Sequence, residues 1–256
     1  MMKIRDIYSR MNELCPSSLS LDWDNDGIMC MPDPDMSVGR ILLTLDITNG
    51  AVEFAGQNGA ELIISHHPLV FKPIKRLSAS DLTGGKLLTL AGSNIAAMSF
   101  HTRLDAADGG VNDALAERLS LVGVRPFGED GEMIGRVGEV RECILSEFAL
   151  FVKERLGIKH PISVVDAGRP VRRVAVLGGA GKDFIASAIE VGADTFVTGE
   201  VGYNALVDAK DMGLNIILGG HYHTERPILD KIRDTLATTD STLEFLFYDC
   251  DPEQFY

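Results

Sequence analysis

The sequence predicts an α/β fold built from repeated βαβ units around a mostly parallel sheet, and three observations lead there. Short runs rich in Val, Ile and Leu alternate with helical patterns over residues 40–100, and the same alternation returns over residues 173–218. The two stretches can be laid on one another, a self-similarity that marks a repeated supersecondary unit. A composition of 45% hydrophobic and 24% charged residues over a length of 256 is that of a globular chain with a core to bury.

Taken in order, residues 40–47 read as a strand, 51–59 as a helix, 61–65 as a strand, 86–92 as a helix and 94–100 as a strand. In the second stretch residues 174–177 read as strand, 183–191 as helix, 194–198 as strand, 205–212 as helix and 215–218 as strand. Gly59-Ala60-Glu61 falls on Gly192-Ala193-Asp194, and Asn94-Ile95 leading to His101 falls on Asn215-Ile216 leading to His221 with a one-residue gap. Between the halves, the polar and Gly-rich residues 127–132 read as a boundary or exposed loop. Residues 243–247 look like one more strand before an irregular acidic tail.

Charge and cysteine usage exclude several classes of function. With 24 Lys plus Arg against 37 Asp plus Glu, the net charge is −13, which repels a polyanion and argues against general nucleic-acid binding. No apolar run is long enough for a signal peptide or a membrane span, so the expected location is cytoplasmic with no membrane partner. Cys15, Cys30, Cys143 and Cys250 lie far apart with no C-x-x-C, and read as reduced packing residues. Any metal must therefore be held by nitrogen and oxygen.

Five of the six histidines fall in three places, each just after a strand: His66-His67, His101, and His221 with His223. In open α/β sheets the loops leaving the C-terminal strand ends form the ligand crevice. Two of the groups carry a carboxylate four residues on, His101 to Asp105 and His221 to Glu225, a spacing that places both side chains on one face of a turn. A lone His after a strand is more often a hydrogen-bonded loop residue than a ligand, and His160 keeps that reading. Three such places, two of them His-x-x-x-acid, favour a metal. Imidazole with carboxylate suits zinc, iron, manganese or nickel. These donors exceed the needs of one four-coordinate ion, and two ions roughly 3.5–4 Å apart would use them all. His223 reads as a substrate contact or as support for a ligand. Gly178-Gly179-Ala180-Gly181-Lys182 follows a strand and opens a helix, which would suit phosphate or simply a tight turn.

With these residues assembled, the chain resembles the dinuclear metal centre family, the NIF3-like proteins also called GTP cyclohydrolase 1 type 2 homologues. The resemblance rests on Trp23-Asp24-Asn25-Asp26-Gly27, on His66-His67-Pro68, on residues 101–112 beginning His101-Thr102-Arg103-Leu104-Asp105, on Thr198-Gly199-Glu200 with Tyr203, and on Gly220-His221 through Glu225-Arg226-Pro227. It implies a first ligand shell of His66, His67, His101, Asp105, His221 and Glu225 around two divalent ions. It also implies two interlinked α/β domains, with 1–125 and 216–256 forming the metal-binding one and 126–215 the second, and assembly into a homohexamer. Two residues depart from the family's usual pattern. Asp26 stands where an apolar residue is common, a change expected to matter little, and Asn204 stands where a His often follows the tyrosine, which removes a candidate proton-transfer group.

The function implied by the resemblance is a metal-dependent hydrolase acting on a small molecule, a nucleotide, with GTP cyclohydrolase-type ring opening as its concrete form. His101 (if not a ligand), His223 and Tyr203 are the candidate acids and bases, and Arg103, Lys182 and Arg226 the candidate phosphate contacts. The alternative is a non-catalytic metal-binding assembly or regulatory protein.

Overall fold

The computed structural model describes residues 2–129 and 132–255. In chain order the elements are β1 (Met2–Lys3), α1 (Ile4–Leu14), β2 (Gly27–Cys30), β3 (Ser37–Val38), β4 (Arg40–Thr44), α2 (Asn49–Gln57), β5 (Leu62–Ser65), α3 (Leu82–Gly92), β6 (Ala96–Ser99) and α4 (Thr102–Ala106). There follow α5 (Val111–Arg118), β7 (Val122–Glu129), β8 (Glu132–Cys143), α6 (Leu145–Arg155), β9 (Ser163–Val165), β10 (Val171–Ala180), α7 (Ile185–Glu190), β11 (Thr195–Glu200), α8 (Tyr203–Asp211), β12 (Asn215–Leu218), α9 (His221–Glu225), α10 (Pro227–Thr239) and β13 (Glu244–Phe247). The expected alternation is present with small shifts at the ends, and the 215–218 strand has the expected bounds.

The described residues form two compact units, 2–107 with Leu229–Gln254, and 108–228 with Phe255. Set beside the expected division at 125 and 216, residues 108–125 and 216–228 fall with the second unit. In that unit β12 pairs with β11 in register from Thr195↔Asn215 to Thr198↔Leu218.

In the first unit five strands run in the order β13-β4-β5-β6-β2, parallel except for the edge strand β2. The residues of β5 and β6 are all buried, as expected of strands covered on both faces. On one face Leu42, Ile63 and Ala97 pack with Ala51, Val52 and Ala55 of α2 and Leu90 of α3.

The second unit carries six strands in the order β7-β8-β10-β11-β12-β9. Its centre, β10-β11-β12, is parallel, while β7, β8 and β9 pair antiparallel. The two-residue period of the strands divides its core cleanly. Val174, Val176, Val197 and Ile217 pack with Leu115 of α5 and Phe148 and Val152 of α6. Ala175, Leu177, Phe196 and Ile216 pack with Ile185 and Ala188 of α7 and Ala209 of α8. The reading of residues 127–132 as a boundary is corrected here. Phe127 is buried in this core, Phe127 and Gly128 belong to β7, and β7 pairs with β8; Asp130 and Gly131 lie outside the described residues.

The repeat seen in the sequence has a physical basis. Gly59 and Gly192 both take a left-handed backbone, at φ 64° and 78°, where an L side chain is strained. Ala60 N–H donates to the Ala55 carbonyl and Ala193 N–H to that of Ala188, closing the preceding helix. The next residue is an acid in both cases. Glu61 accepts from the Gly39 and Arg40 N–H groups, and Asp194 from those of Arg172 and Arg173. Each carboxylate thus fastens the start of the neighbouring parallel strand.

Candidate metal centre

The parallel register of the first unit sets the height of its histidines. Thr44 of β4, Ser65 of β5 and Ser99 of β6 are level, so His66-His67 and His101 leave the sheet together just beyond its C-terminal edge. The ring centroids of His66 and His67 are 4.9 Å apart, of His66 and His101 5.3 Å, and of His67 and His101 5.7 Å. One ligand nitrogen from each of the three lies within 4.8 Å of the others.

Every one of these rings is held through Nδ1. His66 Nδ1 donates to the Phe100 carbonyl at 2.9 Å, a pure acceptor, which places the proton on Nδ1. His67 Nδ1 meets Asp46 Oδ1 at 3.0 Å, and His101 Nδ1 meets Asp24 Oδ1 at 3.0 Å. With the proton on Nδ1 the lone pair of each ring is on Nε2, which is the tautomer a metal ligand needs and the support that ligating histidines usually have. Asp105, carried by α4, brings Oδ1 to 3.6 Å from His66 Nε2. The Asp24 side chain is fully buried. Burial pushes its carboxyl up, but hydrogen bonds from His101 and Thr102 and the proximity of His101 outweigh that and hold it well below the usual carboxylate range.

The second unit offers a matching pair. His221 and Glu225 are the two ends of α9, directly after β12. His221 Nδ1 lies 3.1 Å from Glu200 Oε1, and its Nε2 lies 3.1 Å from Glu225 Oε1. Two ligand atoms each about 2.0–2.2 Å from one ion lie roughly 3 Å apart, so this pair has a ligand spacing. Glu225 is buried, and the close approach is made possible by Gly179 at φ 68°, where a Cβ would strike the Glu225 carboxylate. This gives the glycine turn its reason. The N–H of Gly178 is taken by Asn112 Oδ1, that of Gly179 by Thr224 Oγ1 and that of Gly181 by the Glu200 carbonyl, so the turn is spent on packing and a phosphate role is not supported.

The donor set of neutral Nε2 atoms and carboxylates fits a divalent ion of the zinc, iron, manganese or nickel kind, and both ligand sets sit at C-terminal strand ends. Asp24, Asp46 and Glu200 had no assigned role in the sequence reading. Register would have found two of them: Asp46 lies two residues beyond Thr44 as His67 lies two beyond Ser65, and Glu200 lies two beyond Thr198, the partner of Leu218.

Other candidates are placed differently. Tyr203, at the start of α8, is 79% exposed. His223 lies in α9 with its ring 5.8 Å from that of His160. His160, expected as a loop residue, donates Nδ1 to the Pro161 carbonyl and stacks on Phe255. Arg103 is corrected as a phosphate contact. It is fully buried, 3.2 Å from Asp26 Oδ1 and 2.8 Å from Asn12 Oδ1, with its guanidinium 4.6 Å from the centre of the Phe100 ring. Asp26, expected to matter little, is therefore the counter-charge of a buried cation. Lys182 is exposed and Arg226 half-buried. Among the described residues no helix is long and apolar enough to cross a membrane.

Comparison with known proteins agrees with this architecture. The chain is 34% identical over 252 residues to the GTP cyclohydrolase 1 type 2 homolog of Clostridium perfringens, covering 96% of this chain and 95% of that one. Among solved structures it is similar to HcgD of Methanocaldococcus jannaschii in its reduced form, with a TM-score of 0.84, 28% identity and coverage of 97% and 98%. A NIF3-related protein of Bacillus cereus shares the fold over the full length of both chains, with a TM-score of 0.86 at 24% identity. The model of the DUF34/NIF3 (NGG1p interacting factor 3) family matches residues 2–254, and the chain belongs to that family.

Proposed function

We propose that this protein is a dinuclear divalent-metal-dependent hydrolase acting on a nucleotide, of the GTP cyclohydrolase 1 type 2 kind. The observation that carries the proposal is the set of four imidazoles, His66, His67, His101 and His221, each with Nδ1 on a carbonyl or carboxylate oxygen, which favours the tautomer whose lone pair is on Nε2. In this reading His66, His67, His101, Asp105, His221 and Glu225 are the ligands of two divalent ions. When bound, such ions supply Lewis acidity and bring the pKa of a water towards neutrality. The chain's own residues do the rest. Asp24, Asp46 and Glu200 keep the imidazoles in the coordinating tautomer, and the buried Glu225 offers negative charge that a cation repays. His223 and Tyr203 are the side chains proposed to move protons, and the protein is proposed to act as a homohexamer.

A non-catalytic metal-binding assembly or regulatory protein is the second reading. It is favoured by one observation, that Asn204 occupies the place beside exposed Tyr203 where a His would supply a proton carrier. The experiment is metal analysis of protein purified without chelator or nickel resin, followed by incubation with GTP, other nucleotides and simple phosphoesters. The hydrolase reading expects close to two ions per chain, and turnover of GTP that vanishes with chelator, returns with a divalent ion and falls steeply in Glu225→Gln. Metal-loaded protein that leaves every substrate intact sinks it in favour of the second reading.

A further inference from the structure

Trp23 is the sole tryptophan of the chain and is 59% exposed, an unusual place for the largest apolar side chain. Its indole lies 6.3 Å from the ring of His101 at an interplanar angle of 75°, and 6.0 Å from Phe71 at 63°. Phe71 is itself 46% exposed. Neither ring is needed to fill the core of the first unit, yet both are held in place. The residue after Trp23 is Asp24, which grips His101, and the side-chain amide of the next, Asn25, donates to the carbonyl of Val70, the residue before Phe71. Trp23 is thus fastened beside a histidine of the candidate centre with Phe71 against it, and both rings are left open to solvent.

The charge of the adjoining segment points to what covers them. Between Glu61 and Asp81 the chain has no carboxylate, while Lys72, Lys75 and Arg76 follow Phe71 directly. All three are exposed, in an irregular segment. Arg76 is paired with Asp81 at 3.4 Å, so on a chain of net charge −13 the cations offered here are Lys72 and Lys75, and next to an aromatic pair they match a ligand with a planar ring at one end and an anion at the other.

We propose that Trp23 and Phe71 form a stacking platform for a planar heteroaromatic ring, and that Lys72 and Lys75 receive its phosphates. The site would therefore select heterocycle-bearing phosphate esters over simple phosphoesters. The proposal rests on the reading of the histidine cluster as a substrate-processing centre, but it concerns ring recognition, which can be measured without turnover.

Because tryptophan emission comes from Trp23 alone, the metal-loaded protein reports ring binding by fluorescence. GTP and guanosine should quench that emission saturably, GTP about 10-fold more tightly at low salt, whereas ribose 5-phosphate should leave it unchanged. Phe71→Ala and Trp23→Ala, the latter followed by calorimetry, should weaken GTP binding about 10-fold with metal content unaltered, and Trp23→Phe should retain it. Lys72→Ala with Lys75→Ala should bring GTP down to the affinity of guanosine. Calorimetric GTP binding that is unchanged in both alanine variants would overturn the proposal, as would an absence of quenching by either ring-bearing ligand. So would failure of iodide to quench Trp23 in the ligand-free protein, which would mean that a second copy covers the rings. Quenching without turnover upholds ring recognition while sinking the hydrolase; turnover that ignores Trp23 and Phe71 does the reverse.

Discussion

Asp24 bridges His101 and the residue after it, Thr102. Its Oδ1 accepts from His101 Nδ1 at 3.0 Å, and its Oδ2 accepts from the N–H and hydroxyl of Thr102 at 3.0 and 2.6 Å. The two bonds from Thr102 fix the carboxylate, so that Oδ1 stays aimed at the ring.

Asp24→Ala should therefore lower divalent-ion affinity by about 10- to 100-fold, the usual cost of losing the partner of a ligating histidine. Asp24→Asn keeps an oxygen for Nδ1 and should lose much less. Competition with a chromogenic chelator measures both, and equal affinities in the alanine variant and the parent would remove His101 from the ligand set.

The pair of Arg103 and Asp26 gives a prediction about stability. Both side chains are buried, at 1% and 7% exposure, so Asp26→Ala leaves a cation without its counter-charge and should cost about 3–5 kcal/mol. Urea unfolding of Asp26→Ala and Arg103→Leu, singly and together, tests it: the double variant should recover part of the loss.

At Gly179 a substitution acts on fold and centre together. Alanine there meets a left-handed φ of 68° and the Glu225 carboxylate, so Gly179→Ala should destabilise by about 1–2 kcal/mol from the backbone alone and also lower metal content. Gly109, at φ 75° with no atom near its missing Cβ, is the control. Gly109→Ala should cost stability and leave metal binding intact.

Cys15 carries the pH dependence. Burial is the main reason its thiol is pushed up to about 12, with Arg103 opposing and Asp26 adding to the rise. The folded state keeps the proton that the unfolded chain releases near pH 8.5, so this residue's contribution to stability falls as pH climbs from about 8.5 towards 12. Cys15→Val should unfold at a urea midpoint that declines less than the parent's between neutral and alkaline pH, and native Cys15 should resist thiol reagents.

The parallel strands and the helices between them were legible because their residues are apolar on both faces, as in Leu62–Ser65. The hairpin of β7 and β8 was not. Residues 127–132 are glycines and acids with one Phe and resemble a linker in sequence, whereas Phe127 is buried in the core. In the first unit His66, His67 and His101 were expected just after strands and lie there, and in the second His221 and Glu225 follow β12 as expected; their role as ligands is the proposal. Their supports were not legible, because Asp46 and Asp24 lie 21 and 77 residues from the rings they hold. Such partners appear only once strand register is known.

The place of β13 has a consequence for how the protein is made. In the first unit's sheet β4 lies between β5 and β13, and β13 is supplied by Glu244–Phe247. A ribosome synthesising from the N-terminus delivers β4, β5 and β6 long before β13, so the nascent sheet carries an unpaired flank of backbone donors and acceptors along β4 while the whole second unit is being translated. Bare strand flanks are where chains stick to one another. Until Glu244 arrives to meet Arg40 that flank stays bare, and deletion of Glu244–Phe247 would leave it open for good.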